Sequence, residues 1–316
     1  MKNVYDIGGS PIVAYITHPV CRLHAMGKDH LECPERIEAI DAALLNAELL
    51  QKMLPVSAYQ AEKYELARVH SIDFIDWIES MSPSGDDLIE VDRDTSMNRY
   101  TWEAARRASG SVIQAVDMIM AKEINRAFCN VRPAAHHSGR QSASGFCIFN
   151  GIAVGAAHAI AEYGLERIAI VDFDVHHGNG TEEIFMNEPR VMLFDTFEHP
   201  LYPSTGATTE RSHIINVPLP AFTDSNIYRE LFMQRIIPAL EQFCPQLVIF
   251  SAGFDAHKDD PLASIQLEAD DYFWITQKVI EATPEAKGII SMVAGGYNLA
   301  TLGECAVAHV SALLAV

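Results

Sequence analysis

Short apolar runs alternate with longer amphipathic segments along almost the whole chain, and this alternation limits the possible folds more than any other feature of the sequence. Most of the short runs are continuously apolar, as in residues 168–171, which is typical of strands buried on both faces. The longer segments carry apolar residues at helical spacing, as Ile37, Ile40 and Leu44 do after Pro34. Strands that alternate with helices predict a parallel sheet covered by helices on both faces.

The predicted elements cover most of the chain. Eight strands are predicted, the last of them with the weakest pattern, at residues 12–16, 126–130, 167–171, 191–196, 214–217, 247–251, 289–293 and 55–58. The first predicted helix follows Pro34, and the others cover residues 102–121, 151–162, 225–243 with a kink at Pro238, 268–282 and 299–314. Because the sequence has no repeat, no Gly/Ser linker and no break in composition, we expect one α/β domain over residues 1–316.

The charge of the chain argues against partners that carry many phosphates. Lys and Arg number 23 and Asp and Glu 42, so the net charge is −19, and no basic run offsets it. No apolar stretch reaches the roughly 18 residues of a membrane span, and the first six residues lack the apolar core of a secretory signal. The six cysteines are scattered, which favours reduced thiols. We expect a cytoplasmic protein that binds neither nucleic acid nor membranes.

Two predicted strand ends carry side chains suited to binding a metal ion. Asp174 and His176 follow strand 167–171 and, being two residues apart, share one side of an extended backbone. Asp255 follows strand 247–251 in the same way. Such a set leaves one coordination position open, which is typical of a catalytic zinc site. The alternative, that these residues only cap helices, is disfavoured by the four titratable groups within six residues at 172–177.

His136 and His137 follow strand 126–130, and we interpret them as a proton-transfer pair. Neighbouring side chains diverge, so the two are poorly suited to binding one metal ion together. Each imidazole needs a partner that fixes its tautomer, and Asp172 and Asn179 are the remaining polar residues of the metal motif. The alternative is a buried, hydrogen-bonded pair without a catalytic role.

A glycine pair precedes Tyr297 at the end of strand 289–293. Gly295 and Gly296 allow the backbone to place the phenol above the sheet. A tyrosine hydroxyl opposite a metal ion is suited to stabilising a developing oxyanion. Alone, the position would favour a packing role, so this prediction depends on the metal motif.

Taken in order, these motifs resemble the zinc-dependent histone deacetylase family of the arginase/deacetylase superfamily. The resemblance runs from about residue 12 to the end, and it is closer to class II and bacterial deacetylase-like amidohydrolases, because Asn179 stands where class I enzymes carry aspartate. It implies one domain with an eight-stranded parallel sheet flanked by helices on both faces. The segments that carry it are residues 30–36, 69–71, 136–137, 145–150, 172–181, 201–206, 251–255 and 295–298.

The resemblance also implies a reaction, in which a metal-activated water removes an acetyl or related acyl group from an acyl-lysine-like amine. It implies one Zn²⁺ per chain, with iron as the alternative metal, held by Asp174, His176 and Asp255. His137 would act as general base and then general acid, and His136 with Asp172 as its electrostatic partner. Asn179 would orient the base, and Tyr297 would donate to the carbonyl oxygen.

Two further sites are implied beside the metal. The substrate tunnel would be lined by Gly145, Phe146, Tyr202, Leu262 and Gly295. A monovalent-cation site, for potassium, would be formed by Asp172, the backbone of Asp174 and His176, Asp195 and Thr196. Asp195 replaces the usual serine of the family, so we expect this second site to be altered.

Two other functions stay open. An acetylpolyamine deacetylase would use the same chemistry, and the acidic charge favours it, but Leu262 stands where a polyamine-selective relative carries a glutamate. A catalytically silent acyl-lysine-binding scaffold is the alternative from another class, and the complete set of site residues argues against it. An arginase-like dimanganese hydrolase would need further metal-binding Asp and His residues. The expected partner is an acylated amine, as a peptide or a small molecule, and the oligomeric state stays open.

Overall fold

The computed structural model describes residues 11–315, so the expected domain limits at residues 1 and 316 and the N-terminal segment 1–6 lie outside the described residues. Eight strands form one parallel sheet in the order β2-β1-β5-β10-β9-β6-β7-β8, and two form an antiparallel hairpin. The strands are β1 Val13–Thr17, β2 Leu54–Ser57, β3 Ile89–Asp92, β4 Thr95–Met97, β5 Arg126–Cys129, β6 Ile168–Asp172, β7 Val191–Glu198, β8 Ile214–Leu219, β9 Leu247–Ala252 and β10 Ile289–Val293. All eight predicted strands lie in the sheet, which confirms the predicted fold class of a single α/β domain.

Helices cover both faces of this sheet. They are α1 Glu35–Asn46, α2 Lys63–Leu66, α3 Ile72–Ser80, α4 Thr101–Met120, α5 Gly151–Tyr163, α6 Asn179–Phe185, α7 Ser225–Leu231, α8 Ile237–Phe243, α9 Ala269–Ala282 and α10 Leu299–Leu314, with 3₁₀ turns at Pro19–Arg22 and Leu50–Lys52. Three of them, α2, α3 and α6, were not predicted. Within residues 11–315, none of the helices combines the length and the apolar character that crossing a bilayer requires.

The continuous apolar runs form strands because both faces of the sheet are buried. In β6 the side chains of Ile168 and Ile170 enter one apolar core, together with residues of α4 and α5. The alternate side chains of Ala169 and Val171 enter a second core on the opposite face, with residues of α1, α9 and α10. A strand that fills two cores has no polar face, which explains the absence of alternation.

The predicted helix 225–243 is divided into three helical segments. A π-helical segment, Phe232–Ile236, lies between α7 and α8. Pro238 has no N–H to donate to the carbonyl four residues earlier, so the regular α-helical pattern fails in the preceding turn. The structure thus shows a π-helical segment just before the proline, and the predicted kink at Pro238 stays a prediction.

The strand order brings the chemically rich strand ends together. Strands β5, β10, β9, β6 and β7 are consecutive neighbours in the sheet, and all are parallel. Their carboxyl ends therefore meet at one edge, which is where parallel α/β sheets bind ligands. The predicted metal ligands, the two histidines and Tyr297 follow these strands, whereas Asp172 ends β6 and Asp195 and Thr196 lie within β7.

Candidate active site

Asp174, His176 and Asp255 converge at the carboxyl ends of β6 and β9. In the described part of the chain they are the only group of His, Cys, Asp or Glu side chains with ligand atoms placed to hold a metal ion, all within 4.8 Å of one another. Nδ1 of His176 lies 3.1 Å from Oδ1 of Asp174 and 3.2 Å from Oδ2 of Asp255. Burial raises the pKa of Asp255 to about 7, and the adjacent Asp174 carboxylate adds to this rise. A divalent cation relieves the repulsion between the carboxylates, and this donor set fits Zn²⁺.

Glycines allow the backbone to approach the two carboxylates closely. A Cβ atom at Gly295 would lie 1.9 Å from Oδ2 of Asp255, and one at Gly253 would lie 2.3 Å from Oδ2 of Asp174. The N–H of Gly295 donates to Oδ2 of Asp174 at 2.7 Å. Oδ1 of Asp174 accepts the N–H of His176 at 2.9 Å, so these two residues converge through a bend. The extended backbone predicted between them is therefore wrong, although the two side chains do meet.

His136 and His137 lie beside this set, and their ring centroids are 4.0 Å apart. The predicted divergence of their side chains is wrong, because it assumed an extended backbone where the chain forms a turn. Nδ1 of His136 lies 2.9 Å from Oδ2 of Asp172. Nδ1 of His137 lies 2.8 Å from Oδ1 of Asn179. Each histidine thus contacts the polar residue expected beside it.

These different partners give the two histidines different charge states. Burial lowers the pKa of His136, but the attraction of the Asp172 carboxylate outweighs it, and the pKa is raised to about 9. Burial, together with the positive charge of His136, holds the pKa of His137 well below its ordinary value. The amide oxygen of Asn179 only accepts hydrogen bonds, so Nδ1 of His137 carries the proton and Nε2 keeps a free lone pair. The two contacts therefore act in opposite directions, since Asp172 favours the charged form of His136 and the surroundings of His137 favour its neutral form.

Tyr297 follows β10 and is only 9% exposed. Its ring packs edge-on against Phe146, at 5.8 Å between centroids, and the guanidinium of Arg36 lies 5.0 Å from its ring centre. Burial raises the pKa of Tyr297 well above its ordinary value, and the Asp255 carboxylate adds to this. The hydroxyl therefore remains protonated and able to donate.

A buried ion cluster that the sequence analysis did not assign supports the loop before Tyr297. The carboxylate of Glu32 accepts from Arg132 and, at 3.1 Å, from Arg36. Arg36 in turn donates to the carbonyl of Gly296 at 2.7 Å and to that of Ala294. The only sequence signal was the i, i+4 spacing of Glu32 and Arg36 within the motif at residues 30–36, because the burial of both residues depends on the fold.

Gly145 and Phe146 occupy the two central positions of a tight turn, with φ of 54° and 67°. A Cβ atom at Gly145 would lie 2.2 Å from Cδ2 of His137, so the turn presses directly on the candidate base. The β3–β4 hairpin supports this turn, since Gly145 N–H donates to Asp94 at 3.1 Å and Phe146 N–H donates to Thr95 at 3.0 Å. The sequence analysis did not assign Asp94, because the short hairpin that carries it has no regular alternation of apolar and polar residues.

Tyr202 contacts the site directly, whereas Leu262 is linked to it through Asp260. Tyr202 is 40% exposed, and its ring centroid lies 5.0 Å from that of His137. Leu262 is half-buried, and its N–H donates to Oδ1 of Asp260 at 3.0 Å. The other carboxylate oxygen of Asp260 accepts the N–H of Tyr297 at 2.7 Å.

Asp195 lies beside Asp172 in the register of the sheet and is fully buried. Its Oδ2 accepts from Nδ1 of His177 at 2.7 Å and from the N–H of Gly178 at 2.9 Å. Its Oδ1 has no hydrogen-bond partner among residues 11–315. Thr196 donates from its hydroxyl to the carbonyl of Asp172 at 3.4 Å. A buried carboxylate oxygen without a donor fits a cation that takes oxygen ligands, such as potassium.

Comparisons with known proteins agree with this geometry. Residues 30–313 match the family model described as histone deacetylase domain. The histone deacetylase-like amidohydrolase of Pseudomonas aeruginosa is 32% identical over 296 residues, which are 91% of this chain and 77% of the relative. The polyamine deacetylase HDAC10 of Mus musculus is 32% identical over 300 residues, which cover 90% of this chain but 45% of that protein. The crystal structure of the HDA15 HD domain matches with a TM-score of 0.90 at 31% identity, covering 96% of this chain and 88% of that one.

Proposed function

The chain belongs to the histone deacetylase family, and we propose that it is a zinc-dependent deacetylase that removes an acetyl or related acyl group from an acyl-lysine-like amine. One observation carries this proposal: a buried Asp–His–Asp set lies beside two histidines, of which one contacts the Asp172 carboxylate and the other the neutral amide of Asn179. A ligand set alone would also suit a structural ion. A neutral base with a free nitrogen is the additional group that hydrolysis requires.

The metal ion would be held by Asp174, His176 and Asp255. When bound, it supplies a Lewis acid and lowers the pKa of a water molecule to roughly 7. We propose one zinc ion per chain, because the three ligands form a single buried set. Metal analysis of the purified protein distinguishes zinc from iron.

The residues of the chain would move the protons and stabilise the charge. Nε2 of His137 takes a proton from the attacking water, while its Nδ1–H remains bonded to Asn179. The charged His136 and the Tyr297 hydroxyl stabilise the negative charge that develops on the carbonyl oxygen. The water oxygen bonds to the acyl carbon, the C–N bond breaks, and His137 returns its proton to the leaving nitrogen. The acyl group leaves as a carboxylate, and the second proton of the water goes to the released amine, which becomes an ammonium ion.

The surface around the site supports acyl-lysine-like or neutral amide substrates over acetylpolyamines. Leu262 has no charge that pairs with a distal ammonium group. The acetylpolyamine alternative is supported by the net charge of −19 and by the printed function of the mouse relative. Acyl-lysine-like substrates and acetylpolyamines therefore have to be compared directly in one assay.

Three companion proposals concern the rest of the protein. Potassium would bind beside Asp195, and the unpartnered Oδ1 atom supports this. Residues 1–316 would act as one catalytic domain, supported by the family match over residues 30–313. The cytoplasm would be its compartment, since all six cysteines are free, as suits reducing conditions.

The test is a substrate panel with zinc-loaded protein. It contains acyl-lysine peptides, acetylspermidine and small amides. We expect turnover that Asp174→Ala abolishes together with zinc binding, whereas Asp73→Ala, the same change at an exposed position of α3, retains both. If the native protein binds acyl-lysine peptides but hydrolyses no member of the panel, the scaffold alternative replaces the enzyme.

A further inference from the structure

We infer that Asp260 is a positioning residue for Tyr297 and that it links the substrate rim at Leu262 to the catalytic hydroxyl. This inference rests on the proposed deacetylase function. Asp260 is not one of the metal ligands, and it lies outside the motifs that carry the family resemblance.

The two carboxylate oxygens of Asp260 hold two different loops. Oδ2 accepts the backbone N–H of Tyr297 at 2.7 Å, and Oδ1 accepts the backbone N–H of Leu262 at 3.0 Å. The N–H of Asp260 itself donates to the carbonyl of His257 at 2.9 Å. A single side chain therefore ties the backbone of Tyr297 to the backbone of Leu262, the residue proposed for the substrate rim.

This carboxylate is buried without a cationic partner. Asp260 is 6% exposed, and in residues 11–315 no Lys, Arg or His forms an ion pair with it. Burying a charge is costly unless hydrogen bonds compensate for it. Here backbone N–H groups supply the compensation, so the position of the carboxylate and the positions of the two loops depend on each other.

The loop from residue 294 to residue 298 is anchored along its length, and its last residue, Asn298, donates from Nδ2 to the carbonyl of Asp259 at 2.8 Å. Gly295 is tied to the metal site through its N–H bond to Asp174, at 2.7 Å, and Gly296 is tied through its carbonyl to Arg36, also at 2.7 Å. The N–H of Tyr297 has one acceptor, which is Asp260. Gly296, with φ of 115°, allows rotation just before the tyrosine, so this last bond limits the direction of the phenol.

An asparagine at this position would not serve both loops. Its amide has one acceptor oxygen, and its NH₂ group would face the second backbone N–H. Asp260→Asn therefore releases either Tyr297 or Leu262 while it preserves the size of the side chain. Because small displacements of a catalytic group cost up to about 10²-fold in rate, we expect kcat to fall about 10- to 100-fold, with KM within about threefold of the native value.

A double-mutant cycle tests the inference. If Asp260 acts through the Tyr297 hydroxyl, Asp260→Asn should cost less than about threefold in kcat when Tyr297 is already phenylalanine. Equal losses in both backgrounds would show a general structural role and overturn the inference, as would an unchanged kcat in the single variant. Asp259→Asn is the matched control, because it makes the same chemical change on the neighbouring, exposed side chain.

Two measurements keep the outcome unambiguous. Zinc content and the thermal unfolding midpoint are compared for every variant. If Asp260→Asn does not fold, Asp260→Glu replaces it in the cycle, and its loss in kcat is again compared between the native and Tyr297→Phe backgrounds. The proposed function fails separately, if the native protein has no turnover on the substrate panel. An active native enzyme with an additive cycle would contradict only the role of Asp260.

Discussion

Asn179→Asp should move the acidic limb of the pH–rate profile to higher pH. In the native protein, His137 contacts a neutral amide, at 2.8 Å between Nδ1 and Oδ1, and its pKa is held well below the ordinary value. A carboxylate in that place favours the protonated imidazole. Because protonated His137 cannot accept a proton from water, the variant loses activity at a pH where the native enzyme still works.

The size of the expected pKa shift follows from the short distance between His137 and the side chain at residue 179. Two unit charges about 4 Å apart interact by about 4 kcal/mol at an effective dielectric constant of about 20. At about 1.36 kcal/mol per pK unit, this corresponds to an upper limit of about 3 pK units. Burial of the new carboxylate reduces the effect, so we expect the pKa of His137 to rise by about 1–3 units. A bound cation lowers the pKa of His137 in both proteins and leaves the sign of the difference unchanged.

The assay is kcat/KM as a function of pH from about 5.5 to 9, since this profile reports the pKa values of the free enzyme. Asn187→Asp adds the same charge at an exposed position and should leave the profile in place. Zinc content must be equal in all three proteins. An acidic limb that stays fixed, or moves to lower pH, in Asn179→Asp would refute the assignment of His137 as the general base.

Three other outcomes are expected. Tyr297→Phe should lower kcat about 10²–10³-fold with zinc content and KM largely kept, because it deletes one oxyanion donor, and an unchanged kcat would leave the residue a packing role. Leu262→Glu should raise kcat/KM for acetylspermidine relative to kcat/KM for an acetyl-lysine peptide, at both low and high salt. If the native enzyme already prefers acetylspermidine at both salt concentrations, the polyamine alternative is supported. Asp195→Ala should weaken the rise in Tm caused by KCl relative to an organic chloride of equal ionic strength, because alanine has no side-chain oxygen to bind the cation. An equal rise in both proteins would exclude Asp195 as a cation ligand.

The central strands of the sheet could be predicted from the sequence because they fill two cores. Residues 168–171 of β6 and 247–250 of β9 are all buried and apolar, so these runs are easily recognised. The order of the strands could not be predicted, because the apolar pattern says nothing about which strands are neighbours. The hairpin was missed for another reason: β3, Ile89–Asp92, mixes acidic and apolar residues and is at most half-buried.

Helix α3 was missed although its signals are present. Ser71 caps its first turn by accepting the N–H of Phe74 at 3.2 Å, and Phe74, Ile75 and Ile78 form a buried face at helical spacing. Helix α6 was hidden for a physical reason, because its first residue, Asn179, belongs to the motif that surrounds the metal site. A segment that serves chemistry carries a weaker apolar pattern.

The site could be located because the carboxyl ends of parallel strands meet at one edge of the sheet. Charged residues that act from behind this edge could not be located. Glu32, Arg36 and Asp260 are all buried, and each owes its role to contacts with residues far away in the sequence. Charge in a sequence normally indicates exposure, so only the tertiary structure reveals that these three support the catalytic loop.

Asn179 and Asp195 act on different imidazoles of the site. Asn179, a feature of the resemblance to class II enzymes, gives His137 a neutral amide as its partner, whereas Asp195, a departure from the resemblance, places a buried carboxylate on the neighbouring strand. The added carboxylate contacts His177 and lies beside Asp172, away from the nitrogen that must stay neutral. A carboxylate at residue 179 would favour protonated His137, whereas the carboxylate at residue 195 pairs with another imidazole. The buried acidic group on the neighbouring strand is therefore compatible with the low pKa of the candidate base.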